Sequence, residues 1–128
     1  MISVHVFVSI WDSTISAEEI AERIAFPIIM SANKGDKRGT STAIFKESYC
    51  RFDAGIAEIE LESEITERVI ASILSIDVIT ELARGGSRIW ISAIIPKGTY
   101  ELSIAPDEML RLGAAGVGLS YDISQVFT

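Results

Sequence analysis

Nothing constrains this chain more than its first ten residues. Ile2, Val4, Val6, Val8 and Ile10 recur every second position, and Ser3, His5, Phe7 and Ser9 fill the gaps. Successive side chains of a strand point to opposite faces, so the segment predicts a strand with one aliphatic face and one mixed face. The aliphatic face has to be buried. The mixed face implies a sheet covered fully on one side only.

The next segments supply the cover. Ser16, with Glu19 three residues on, reads as a capping box ahead of a helix whose stripe is Ala17, Ile20, Ala21 and Ile24. Pro27 forces that helix to stop. Ser31 to Thr42 is polar, with two glycines and no apolar period, and reads as a long loop. Two strands are expected over Ala43 to Phe52 and Ile56 to Leu61, joined by a hairpin turn at Asp53-Ala54-Gly55. Glu64 to Arg84 reads as a helical region, with Ile65, Val69, Ile73 and Ile76 on one face and a break near Ser75 and Asp77. A second hairpin is expected from Arg88 to Ile95 and Thr99 to Ile104 through Pro96-Lys97-Gly98. Pro106 suits the first position of a short helix, and Leu119, Tyr121 and Ile123 make a last strand.

The order β-α-β-β-α-β-β-α-β predicts an α+β fold. Its sheet is expected to be mostly antiparallel with helices on one face, a ferredoxin-like β-α-β-β-α-β layer plus an added β-α-β unit. A chain of 128 residues is the usual size for one domain, and 1–128 reads as such. Val6, Ile20, Ile73 and Ile91 are the expected centre of its core.

Composition narrows the function classes. The apolar fraction is 48% and the mean hydropathy +0.35, enough apolar surface to oppose disorder. The longest apolar run, Ile24 to Met30, contains Pro27 and is far short of the roughly 18 residues a membrane span needs. No Lys or Arg precedes Arg23 and Cys50 is the only cysteine, which predicts no signal peptide, no disulfide framework and a cytoplasmic location. A net charge of −7 argues against nucleic acid or anionic membrane as partner, because phosphate neutralisation needs a basic surface.

The inventory of catalytic chemistry is short. His5 is the only histidine and sits mid-strand, where a hydrogen-bonded structural role is expected. Cys50 reads as a small strand hydrophobe. No metal-ligand spacing occurs, so neither a metal nor another cofactor is expected and no residue is assigned a catalytic role. Glu58 and Glu60 would share one strand face, as carboxylate pairs do, although a solvated face needs the same pattern.

Two places could bind. The loop from Lys34 to Gly39 holds Lys34, Asp36, Lys37 and Arg38 beside two glycines and could cradle an anion with its amides, while a plain solvated loop would look the same. On the mixed face, Phe7 and Trp90 are candidates for contact with a ligand or a second copy of the chain.

Several motifs together resemble a family of small bacterial domains of unknown function, the one numbered 4279 in that series. They are Ile15 to Ile20, Pro27, Lys34-Gly35-Asp36, Pro106 to Leu110 with Gly113 and Ala114, and Leu119 with Tyr121-Asp122-Ile123. A tryptophan usual in the second or third strand of that family is absent between Ile44 and Leu61. The resemblance carries no established activity. Some members look like neighbours of toxin–immunity systems, which implies an immunity-like or accessory binding role. The expectation is therefore a non-enzymatic module that binds a protein partner or itself, possible homodimers included. The alternative is a small-molecule-binding protein or enzyme that uses the open sheet face.

Overall fold

The computed structural model describes residues 1–40, 42–98 and 100–123. Strand β1 (Ile2–Asp12) is the central template. It is followed by α1 (Ala17–Arg23), β2 (Ile28–Ala32), β3 (Ser48–Ile59), α2 (Ile65–Leu74), α3 (Asp77–Arg84), β4 (Arg88–Ile95), α4 (Pro106–Ala115) and β5 (Val117–Ile123). The five strands form one mixed sheet in the order β2-β3-β1-β4-β5, antiparallel except where β5 runs parallel to β4. The fold is α+β.

The even-numbered residues of β1 explain the layering. Val4, Val6, Val8 and Ile10 are buried with Cys50 and Phe52 of β3 and Ile89, Ile91, Ala93 and Ile95 of β4. Ile20 of α1, Ile65, Val69, Ile70 and Ile73 of α2, Ile79 and Leu82 of α3 and Leu112 of α4 close over them in the same cluster. Val6, Ile20, Ile73 and Ile91 lie in that core, at most 2% exposed. The helices therefore cover one face, and the odd-numbered residues of β1 remain on the other.

Capping follows the sequence in part. Ser16 accepts the Glu19 amide at 3.1 Å, but the Glu19 carboxylate turns to Arg23 at 2.9 Å instead of closing the box. Asn33 Oδ1 accepts the Ala17 amide and ties the start of α1 to the loop after β2. Asp12 joins three segments. Its Oδ1 accepts the Thr14 and Ile15 amides and the Thr14 hydroxyl, and its Oδ2 accepts the Ser87 hydroxyl at 2.6 Å.

Three expectations are corrected. Asp53-Ala54-Gly55 is a bulge inside one continuous strand and not a hairpin turn: β1 pairs Val6 with Gly55 and Phe7 with Asp53, leaving Ala54 over. Gly55 takes the positive φ of 92° that the bulge requires. A β1 of 11 residues can pair with both halves of β3, so a reversal there would forfeit half the ladder. The second change is that Ile28–Ala32 forms an edge strand, so the loop starts after it. The partner of β3 is thus upstream of the loop, and residues 43–47 are not part of the strand. The third is that 100–104 is no strand, with Thr99 outside the described residues. Because β5 occupies the outer edge of β4, 100–104 instead crosses towards α4, placing Tyr100 and Leu102 against the core.

Candidate functional site

Register sets what the uncovered face displays. Trp11 of β1 stands between Tyr49 of β3 and Arg88 of β4, and Ser9 stands between Arg51 and Trp90. Phe7 lies between Asp53 and Ser92, and His5 between Ile56 and Ile94. Five rings, the His5 imidazole included, therefore share this face with two guanidiniums and several hydroxyls.

These groups are interleaved. Trp11 and Tyr49 stack with centroids 5.1 Å apart, and Arg88 lies 4.8 Å from the Trp11 centroid on the neighbouring strand. Arg51 lies 4.7 Å from the Phe7 centroid, and the His5 ring is 4.2 Å from Phe7. Each cation over a ring face gains from the ring quadrupole, on the order of 0.5–1 kcal/mol where water still reaches it. Trp90 differs. Its ring lies over Gly118, close enough that a Cβ there would fall 2.7 Å from Trp90 Cδ2. One indole face is thus set on backbone, and the side chain is 42% exposed.

The loop after β2 extends this array. Lys37 and Ile44 form a bridge, the Gly35 amide donates to the Phe45 carbonyl, and the Phe45 amide donates to Asp36. The loop is therefore a small two-stranded arm. Phe45 reaches from it to within 6.3 Å of the Tyr49 ring, and Arg38 lies 5.2 Å from the Phe45 centroid. Arg38, Phe45, Tyr49, Trp11 and Arg88 make one line across arm and sheet.

Two open clefts flank that line. One of about 520 Å³ has Trp11, Tyr49 and Met30 on its sheet side and Lys37, Arg38 and Phe45 on its arm side. Another of about 540 Å³ shares Trp11, Arg38 and Phe45 and adds Ile44, Lys46, Glu47 and Arg88. Glu47 holds Arg88 at 3.1 Å.

The residues singled out from the sequence separate here. Lys37, Arg38 and Asp36 line the first cleft, and Lys34 is exposed but lines neither. Asp36 is occupied: its Oδ2 accepts the Asn33 amide at 2.8 Å. The amides of Gly35, Asp36 and Arg38 donate to carbonyls within the arm, so they do not form an anion cradle. Phe7 and Trp90 are on the open face, Trp90 one row and Phe7 two rows beyond Trp11. Sequence reading missed Trp11, Phe45, Tyr49, Arg51 and Arg88. Trp11 shares the parity of Ser3 to Ser9, so continuing the alternation past Ile10 would have found it.

Titratable groups elsewhere act structurally. His5 Nε2 and Asp53 Oδ1 are 2.8 Å apart, and the bond with His5, helped by the Gly55 amide, holds the Asp53 carboxyl below its usual range. This pair lies about 20 Å along β1 from Trp11, given about 3.3 Å per strand residue. Glu58 accepts the Ser3 hydroxyl, while Glu60 falls beyond β3, so the two carboxylates do not share a strand face. Burial pushes the Cys50 thiol up to about 11, with Glu18 adding to it, so the thiol stays protonated on the helix side. Among the described residues no three His, Cys, Asp or Glu side chains gather as a metal site, and no helix is long and apolar enough to cross a membrane.

Charge is distributed unevenly. Lys34, Lys37, Arg38, Lys46, Arg51 and Arg88 are six of the 11 cations, and they sit on the arm and the adjoining rows of the open face. Asp36, Glu47 and Asp53 are acids among them, and Glu58 and Asp122 stand further along the same face. The helices and their connections carry most of the 18 acids, including Glu18, Glu19, Glu22, Glu62, Glu64, Glu67, Asp77, Glu81, Asp107 and Glu108. Comparison with protein-family models, with curated protein sequences and with solved structures gave no match to this chain.

Proposed function

We propose that this chain is a non-enzymatic binding module that takes an anionic partner on the open face of its sheet, at the arm end. The line Arg38–Phe45–Tyr49–Trp11–Arg88 carries the reading. A face in contact with water alone has little use for both tryptophans of the chain, and a core would not tolerate this density of guanidinium. Rings supply contact area at small entropic cost, and interleaved cations select the sign of the partner. A cytoplasmic setting suits the single buried thiol.

Both tryptophans lie on this face, so intrinsic fluorescence reports on it directly. Titration with poly-glutamate is expected to change the emission saturably at low salt. Lys37→Ser with Arg38→Ser should abolish that response and leave the melting temperature nearly unchanged, because both side chains are exposed. An unchanged response in the double variant, or a large loss of stability, would assign these residues a different role.

A second reading has its own observation. Strand β2 is a sheet edge whose Ile28, Ile29 and Met30 are 46%, 53% and 49% exposed, and it carries no charge to discourage pairing. Antiparallel pairing of β2 between two copies would give a homodimer with continuous sheet. Met30→Lys should then convert a dimeric mass in light scattering to a monomeric one. A monomeric mass in the unsubstituted protein sinks this reading.

A further inference from the structure

Resting on the open-face reading, we infer that the anionic partner is single-stranded nucleic acid, with bases on the rings and phosphates on the arm and sheet cations. Whole-chain charge points the other way, and placement decides between them. The Debye length at physiological ionic strength is about 8 Å. A packed layer of structure is roughly 10 Å thick, so acids on the outer side of the helices are screened from a ligand on the open face. What such a ligand meets at the arm end is Lys37, Arg38, Lys46, Arg51 and Arg88, tempered by Asp36, Glu47 and, one row on, Asp53.

The rings select the class of anion. Base–aromatic stacking with cations tracking the backbone is how proteins hold single strands without reading sequence. Trp90 offers one indole face outwards because Gly118 takes the other, and a glycine inside a strand has no other evident use here. Ser9 stands across from Trp90 and is buried with its hydroxyl 3.3 Å from that of Tyr49, which ties the rows together beneath the rings. An acidic peptide would use the cations and leave the indole face idle. A duplex hides its base faces and could use only the charges. A mononucleotide fills one cleft but cannot reach both the arm and Trp90, which lies a row further from it.

The test is a fluorescence-anisotropy titration of the full chain. The probe is a labelled, mixed-sequence single-stranded RNA of about ten nucleotides, a length within the range such sites span. The same sequence as a duplex, adenosine monophosphate and poly-glutamate are measured beside it. Saturable binding to the single strand, tighter than to any other probe, is expected. With three or four phosphates neutralised, log K should fall with log salt at a slope of roughly −2 to −3. Trp90→Ala should weaken binding between about 5-fold and 150-fold, the range found for loss of one stacked base. Arg38→Ser should weaken binding and flatten the salt slope, whereas Arg68→Ser, on an exposed position of α2, should do neither. Equal affinity for duplex and single strand, or equal loss in Arg38→Ser and Arg68→Ser, overturns the inference. Binding of poly-glutamate or adenosine monophosphate alone, with the same dependence on Arg38, overturns it and leaves the open-face site standing. Absence of binding to every probe removes both.

Discussion

Gly118→Ala tests whether Trp90 is held where the register puts it. The φ of Gly118 lies outside the positive region, so alanine meets no backbone strain there. The new Cβ would lie 2.7 Å from Trp90 Cδ2 and closer still to Cε3 and Cζ3, whereas carbon atoms rest about 3.5–4.0 Å apart. The indole must retreat by an ångström or more. A tryptophan buries up to about 250 Å², and Trp90 is 42% exposed, so complete ejection would cost about 3–4 kcal/mol at about 25 cal/mol per Å². The ring can instead reseat on its outer side, which limits the loss to about 1–2 kcal/mol. Against this, alanine stiffens the unfolded chain and contributes about 0.4–1 kcal/mol to stability. Urea denaturation should therefore show a net loss near 1 kcal/mol with Trp90 present. In a Trp90→Ala background, where the space is free, the same substitution should be neutral or stabilising. An equal loss in both backgrounds would show that the ring does not rest on Gly118.

Two further substitutions probe the frame behind the site. Asp12→Ala leaves the Thr14 and Ile15 amides and the Ser87 hydroxyl without their acceptor and should cost about 2–4 kcal/mol in urea denaturation, with Asp12→Asn costing about 1. Burial raises the Asp12 carboxyl, but the bonds from Ser87, Thr14 and Ile15 outweigh it and hold it below the usual range. Its contribution is therefore full above about pH 4 and is lost as pH falls through the folded value, so Asp12→Asn should flatten the acid limb of the stability curve. Ile73→Ala, at 0% exposure under α2, should cost about 2–5 kcal/mol, and a loss below about 0.5 would contradict its place in the core.

What the sequence disclosed depended on whether one physical signal had one structural answer. The alternation from Ile2 to Ile10 could only be a half-covered strand, and the stripe through Val69 and Ile73 could only be a buried helix face. Asp53-Ala54-Gly55 had two answers, because a hairpin turn and a bulge both want a polar residue followed by glycine at positive φ. The length of β1, which sequence periodicity understated, chose the bulge. Residues 100–104 had strand composition but no free edge of β4 to join, since β5 takes that edge from a distance in sequence.

The site was less legible for the same reason. Phe7, Trp90, Lys37 and Arg38 were visible as residues that a plain strand or loop does not require. Their neighbours were hidden in register: Tyr49 meets Trp11 only because β3 starts at Ser48, and Arg88 meets it only through the β1–β4 pairing. Net charge sums over faces, so it could not show that six of the 11 cations gather on the arm and the adjoining rows of the open face.

The most direct test of the open-face site is an amide-resolved NMR titration with the single-stranded RNA. Shifts are expected to cluster at Phe7, Ser9, Trp11, Tyr49, Arg51, Trp90 and Gly118 and along residues 36–40 and 42–46 of the arm, with α2, α3 and α4 unmoved. Shifts confined to the helices, or none on the sheet face during saturable binding, would contradict the account.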